Sequence, residues 1–190
     1  MKALDGVHAL FNHPGFRAFW VKSRVLLVLA AAVAILWLMD PRWLWPGFLV
    51  SMAGEFIQLW CFASLDKNRD LACNGPYTLA RNPMYLGRFF IVLGIVMLLG
   101  KWWLIGAYVI VYYFYMVNRV KREEARLQVV LGAPYADYCT AVRRFLPGRP
   151  YRGNPVLYWN WHLLRQNHGW VNLAGTLAFW IAAAARAWLP

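Results

Sequence analysis

Long apolar runs separated by short basic and polar segments constrain this chain more than any other feature. Residues 25–39 are apolar without interruption, bounded by Arg24 and Asp40. Four more runs follow: 43–65, containing Pro46, Glu55 and Gln58; 84–100, with Arg88 near its start; 102–117, rich in aromatics; and 170–189, with Arg186 near its end. A helix needs about 20 mainly apolar residues to cross a bilayer. The pattern therefore predicts an all-α, polytopic membrane bundle of about five spans. The first run is short, but Phe19 and Trp20 extend it while Lys22 and Arg24 snorkel towards the headgroups.

Composition agrees. Of 190 residues, 61% are hydrophobic and 15% charged, and mean hydropathy is +0.40. Soluble domains carry about 45–50% apolar and about 25% charged residues, so more apolar side chain is present than one small core buries. The net charge of +12 does not mark a nucleic-acid binder, because no basic domain stands apart from the apolar runs. Cytoplasmic loops gather Lys and Arg. With the N-terminus inside, the inner segments hold Lys2, Arg17, Lys22, Arg24, Lys67, Arg69, Arg81, Arg88 and the nine basic residues of 119–165, while the outer segments hold Arg42, Lys101 and Arg186. That asymmetry predicts a cytoplasmic N-terminus and accounts for the charge. The 24-residue polar lead, with no A-x-A site after the first run, is unlike a signal peptide. One domain spanning 1–190 is expected, with no internal repeat. Cys61, Cys73 and Cys139 form no C-x-x-C pair, so neither a disulfide framework nor a thiolate metal site is indicated.

The chemistry-bearing residues lie in two polar segments that a helical hairpin brings together. The first runs through Gly75-Pro76-Tyr77 to Arg81-Asn82-Pro83-Met84-Tyr85-Leu86-Gly87. Pro83 suits the first turn of a helix, whose backbone donors beside Arg81 suit a carboxylate or phosphate; a plain loop with Arg81 on lipid phosphate is the bland reading. The second is 118–131, where Arg119 and Glu123 share a helix face in what is otherwise a solvated juxtamembrane helix. Counted outward from Gly100 and Lys101 at ~1.5 Å per residue, Tyr85 falls opposite about residue 116, and Gly75 to Tyr77 near Glu123 and Glu124. Both segments belong to the cytoplasmic side.

These motifs, with Glu123-Glu124-Ala125-Arg126-Leu127, Gly132-Ala133-Pro134-Tyr135, Tyr138 and Arg144-Phe145-Leu146-Pro147, resemble the integral-membrane methyltransferases of the isoprenylcysteine carboxyl methyltransferase and phospholipid methyltransferase superfamily. The matched core is 54–147; the extension 148–190 lies outside it. The resemblance implies S-adenosylmethionine as cofactor, lined by Leu71 and Ala72, contacted by Tyr77, Asn82, Pro83 and Tyr85, and bound by Glu123. It places Arg119 at the substrate's reacting group. Asn82 stands where the family pattern most often has His, and an amide does not titrate near pH 7.

The residue types agree with that donor. S-adenosylmethionine carries a sulfonium, a zwitterion, ribose hydroxyls and a flat base. Glu123 or Glu124 offers a carboxylate acceptor, Arg81 a donor, and Tyr77, Tyr85 and the aromatic run 112–115 offer walls, although a stripe of tyrosines in a span is more often helix packing. Methyl transfer needs alignment, exclusion of water and charge complementarity rather than a protein nucleophile. A carboxylate acceptor is already ionised and Arg119 orients it; an amine must first lose a proton, for which Glu123 or Glu124 is available. The catalytic candidates are thus Arg119 and Glu123. A lipophilic carboxylate is the leading acceptor and a phospholipid amine the alternative. A sterol-reductase-like NADPH enzyme and a non-enzymatic channel or scaffold are the other classes. Glu55, inside a span, is either a border of a substrate passage or the partner of a neighbouring helix. His8, His13, His162 and His168 have no ligand spacing, so no metal is expected.

Overall fold

A computed structural model describes residues 14–66 and 71–188; Lys2, His8, His13, Lys67 and Arg69 lie outside them. The expected all-α architecture is met: among the described residues, all regular structure is helical. The helices are α1 (Pro14–Leu38), α2 (Leu44–Ser64), α3 (Pro83–Met97), α4 (Trp102–Leu131), α5 (Ala133–Ala141), α6 (Trp161–Gln166) and α7 (Gly169–Trp188), with 3-10 turns at Pro41–Trp43, Gly75–Thr78 and Tyr151–Gly153. Two stretches, Pro41–Ser64 and Trp102–Leu131, are long and apolar enough to cross a membrane; Val25–Leu38 and Pro83–Met97 are shorter apolar helices.

Local chemistry sets the helix ends. The Asp40 carboxylate accepts from Arg42 N at 3.0 Å, and Asp40 N donates to Leu98 O at 2.7 Å, which ties the start of α2 to the end of α3. Gly100, at φ +60, turns α3 into α4 in a region where side chains are disfavoured. α4 has 30 residues, about 45 Å at ~1.5 Å each. That exceeds the ~30 Å hydrocarbon core, so its charged end, 118–131, extends beyond the apolar layer.

α2 and α3 form the closest pair, and small residues are the reason. A Cβ on Gly54 would lie 2.5 Å from Ile91 N and 2.6 Å from Gly87 O, and one on Gly47 would lie 2.5 Å from Gly94 O. Gly47, Ser51 and Gly54 thus give α2 a small-residue face, the means by which apolar helices gain contact where lipid offers no hydrophobic drive. Gly54→Leu is expected to destabilise the protein at the upper end of the ~1–3 kcal/mol that over-packing costs. A fall in the detergent-solubilised melting temperature would register it; an unchanged melt would show that the pair can separate without penalty.

α4 lies on α3 through its tyrosines: Tyr108 Oη donates to Phe89 O at 2.9 Å and Tyr112 Oη to Tyr85 O at 2.6 Å. Phe89 and Tyr108 stack at 5.5 Å. This part of the tyrosine stripe is therefore a packing seam. On the other flank of α2, α7 packs through positions 172, 176 and 180, one turn apart. Trp180 Nε1 donates to Ser51 Oγ at 3.0 Å, and Trp180 and Ala183 are buried with Leu98.

Candidate active site

The two polar segments meet, at the C-terminal end of α2 and the N-terminal end of α3. Glu124 is the hub. Its Oε1 accepts from Asn82 Nδ2 at 3.1 Å, Arg81 Nη2 at 3.2 Å and Arg144 Nε at 3.3 Å, and its Oε2 accepts from Arg144 Nη2 at 2.7 Å. The Arg81 and Glu124 side chains are only 11% and 12% exposed. An acid taken that far from water requires paired, hydrogen-bonded partners, and three donor side chains provide them. The Asn82 amide nitrogen also donates to Arg144 O at 3.3 Å; a primary amide carries two hydrogens on one atom, so the residue replacing the family's usual His bridges two partners at once.

The segment after α5 closes over this hub through its backbone. Arg81 N donates to Arg143 O at 2.9 Å, Asn82 N to Arg144 O at 3.1 Å, and Gly148 N to Leu79 O at 2.9 Å. Arg81 Nη1 adds a bond to Cys139 O at 2.9 Å. Backbone donors expected to face a ligand beside Arg81 are thus bound to the chain itself at positions 81 and 82. One donor stays open: Arg81 Nε is buried without a hydrogen-bond partner.

Beside the hub, the hairpin makes a second contact. Tyr85 Oη donates to Glu123 Oε2 at 2.7 Å, and Arg119 lies against the same tyrosine. Tyr85 is buried, whereas Arg119 and Glu123 are exposed. Adjacent glutamates therefore face different surroundings: Glu124 is enclosed by Arg81, Asn82 and Arg144, and Glu123 is anchored by the Tyr85 hydroxyl. Tyr85 reaches Glu123 with its hydroxyl while its carbonyl receives Tyr112; counting placed it opposite about residue 116 and put Gly75 to Tyr77 near Glu123, so the side chain reaches further along α4 than the rise per residue alone indicates.

The Gly75–Thr78 turn is buried and held both from α5 and from the extension beyond Pro147. Tyr138 Oη donates to Tyr77 O at 2.5 Å, Tyr151 N to Thr78 Oγ1 at 2.7 Å, and Gly75 N to Pro155 O at 2.9 Å. Tyr77 touches the Cys61 thiol. Burial above all, then the neighbouring Cys61, pushes the Tyr77 phenol well up; burial, then Cys73, does the same to Tyr138. Both hydroxyls keep their protons and act as donors. Leu71 and Cys73 pack on the Tyr135, Tyr138, Val142 and Tyr151 cluster; Ala72 is half-buried and Pro83 buried.

Glu55 lies away from this hub. It is 1% exposed and faces α7, accepting from Asn172 Nδ2 at 2.8 and 2.9 Å and pairing with Thr176 Oγ1 at 2.9 Å. Sequence reading did not find these α7 partners, nor Asn154, Asn160 and Asn167. The last is buried and donates to Phe62 O and Leu65 O at 2.9 and 2.7 Å. Their only signal is polar residues at four-residue spacing (172, 176) in an apolar helix, which marks a bonded face without naming its partner.

Comparison with known proteins gives one family and nothing closer. No curated protein and no solved structure matches the chain. Residues 47–133 match the phospholipid methyltransferase family, a stretch that runs from the small-residue face of α2 to the end of the Arg119–Glu124 helix. That stretch holds the Arg81–Asn82–Glu124 hub and the Tyr85–Glu123 contact, so the site just described lies within the segment that is similar to the phospholipid methyltransferases.

Proposed function

We propose that this protein transfers a methyl group from S-adenosylmethionine to a lipophilic acceptor at the cytoplasmic face of the membrane. The observation that carries the reading is the Tyr85–Glu123 bond across the hairpin, 2.7 Å, within the family-matched stretch. When bound, the cofactor supplies a methyl carbon made electrophilic by its sulfonium. Two groups fit it: the partnerless buried Arg81 Nε, a donor for the amino-acid carboxylate, and Glu123, whose Oε1 is an acceptor for the ammonium. Asn82 and Glu124 hold Arg81 in place. Leu71, Ala72, Tyr77, Pro83 and Tyr85 supply apolar and aromatic walls. Residues 1–190 act as one domain in this reading, because 148–188 hold the Gly75–Thr78 turn and the flank of α2. The basic end of the bundle is the cytoplasmic end.

Each acceptor class has one observation in its favour. Arg119 is exposed one turn before Glu123, which suits orientation of a carboxylate. The family match favours a phospholipid amine, for which Glu123 is the available base. The test uses purified protein in vesicles, methyl-labelled S-adenosylmethionine, and either phosphatidylethanolamine or a prenylated thioether carboxylic acid. Label that alkali releases as methanol marks a carboxyl ester; alkali-stable label in the headgroup marks the amine. Transfer to neither, with tight binding of NADPH and none of S-adenosylmethionine, would overturn the reading in favour of a reductase.

A further inference from the structure

Outside the matched segment, α6 and the start of α7 border an open cavity of about 470 Å³ lined by Trp161, His162, Arg165 and Trp170. α6 is held from within. Asn160 Oδ1 accepts from His162 N and Leu163 N at 2.9 and 3.3 Å, Asn160 N donates to Ala63 O at 3.1 Å, and Leu163 and Leu164 are buried. The opposite face is thereby presented outward. On it, the Trp161 and Trp170 rings lie nearly parallel, 7° apart with centroids at 6.1 Å, and stay 63% and 48% exposed. The side chains of Arg165 and His162 make no hydrogen bond or ion pair with any described residue.

The depth of this cavity follows from α2. Asn167, directly after α6, bonds the carbonyls of Phe62 and Leu65 at the C-terminal end of that candidate span. The cavity therefore sits where the apolar layer gives way to headgroups. Two exposed indoles form one aromatic wall, which attracts a cation without full desolvation. An unpaired guanidinium beside them is a bidentate phosphate donor. A cation and a phosphate a few bonds apart describe a zwitterionic headgroup.

We infer that the Trp161–Trp170 wall and Arg165 form a binding site for the phosphocholine-type headgroup of a bilayer phospholipid. The site is separate from the methyl-transfer hub: its four lining residues include none from that hub. Arg165 takes the phosphate, the paired indoles take the quaternary ammonium, and the acyl chains run along the apolar surface of α7.

Full-length protein in detergent, titrated with short-chain phosphatidylcholine, short-chain phosphatidylglycerol and phosphocholine, tests this by native mass spectrometry. Wild type is expected to retain one more phosphatidylcholine than the Trp161→Ala and Arg165→Gln variants, to retain phosphatidylglycerol about tenfold less well, and to bind phosphocholine more weakly still. Both positions are exposed, and an unchanged melting temperature will show that the variants fold. A third variant, Glu123→Gln, is expected to keep the extra lipid, which separates this site from the catalytic one. Equal retention of both lipids, or variants that hold phosphatidylcholine as wild type does, would overturn the proposal. Phosphocholine bound as tightly as the lipid would reassign the site to a soluble ligand and overturn the bilayer source.

Discussion

Substituting Glu123 by Gln is expected to raise the dissociation constant for S-adenosylmethionine about 10- to 100-fold, the ~1.5–3 kcal/mol of a hydrogen bond to a charged group, while leaving stability nearly unchanged. Glu123 is exposed and has one bond, from Tyr85, which a neutral amide oxygen still accepts. The same change one residue later has the opposite signature. Glu124→Gln removes the charge that Arg81 and Arg144 share and leaves the Arg81 cation, 11% exposed, without compensation. Breaking such a pair costs roughly 3 kcal/mol, so a lowered melting temperature is the first effect. Calorimetric titration with the cofactor and thermal unfolding, run on both variants, separate the roles. If Glu123→Gln binds the cofactor as wild type does, the assignment of Glu123 fails. If Glu124→Gln melts like wild type, the hub does not hold the fold together.

Truncation after Pro147 has a larger expected effect: no cooperatively folded protein survives it, although the family match ends at residue 133. The cut removes α7, and with it both side chains that bond Glu55 and the indole that bonds Ser51. A carboxylate that was 1% exposed then faces lipid without its partners, at a cost of several kcal/mol for groups of this kind. The cut also removes the Tyr151 N–H that donates to Thr78 and the Pro155 carbonyl that accepts from Gly75. Size-exclusion elution and a thermal melt check the outcome. A truncated chain that elutes as one species with the wild-type transition would show the extension to be an accessory. A milder companion, Asn172→Leu, is expected to lower the melting temperature without abolishing the fold, because Thr176 still reaches Glu55.

Helix existence and ends were legible because they are local properties. The apolar runs predicted α2, α3 and α7 to within a few residues, and the run 102–117 continued by the charged helix 118–131 predicted α4, since Asp40, Pro83, Gly100 and Gly132 terminate or start helices through their own backbone chemistry. That the two polar segments come together was legible too, because a short turn makes two helices antiparallel, although counting set Tyr85 opposite about residue 116 and its hydroxyl reaches Glu123 instead. Three features were not. Glu55 read equally as a passage residue or as a helix partner, because the choice rests on residues 117 and 121 positions further along. Glu123 and Glu124 were interchangeable as acceptors until Arg144, 20 residues beyond, occupied one of them. The extension from Pro147 had no readable role, because its bonds to Thr78, Gly75, Ala63 and Phe62 join carbonyls, amides and hydroxyls that many residue types offer. Periodicity and turn chemistry act between neighbours, so the sequence alone determined the helices and their hairpin. Which buried polar group finds which partner depends on packing across the bundle, and only the tertiary structure decided that.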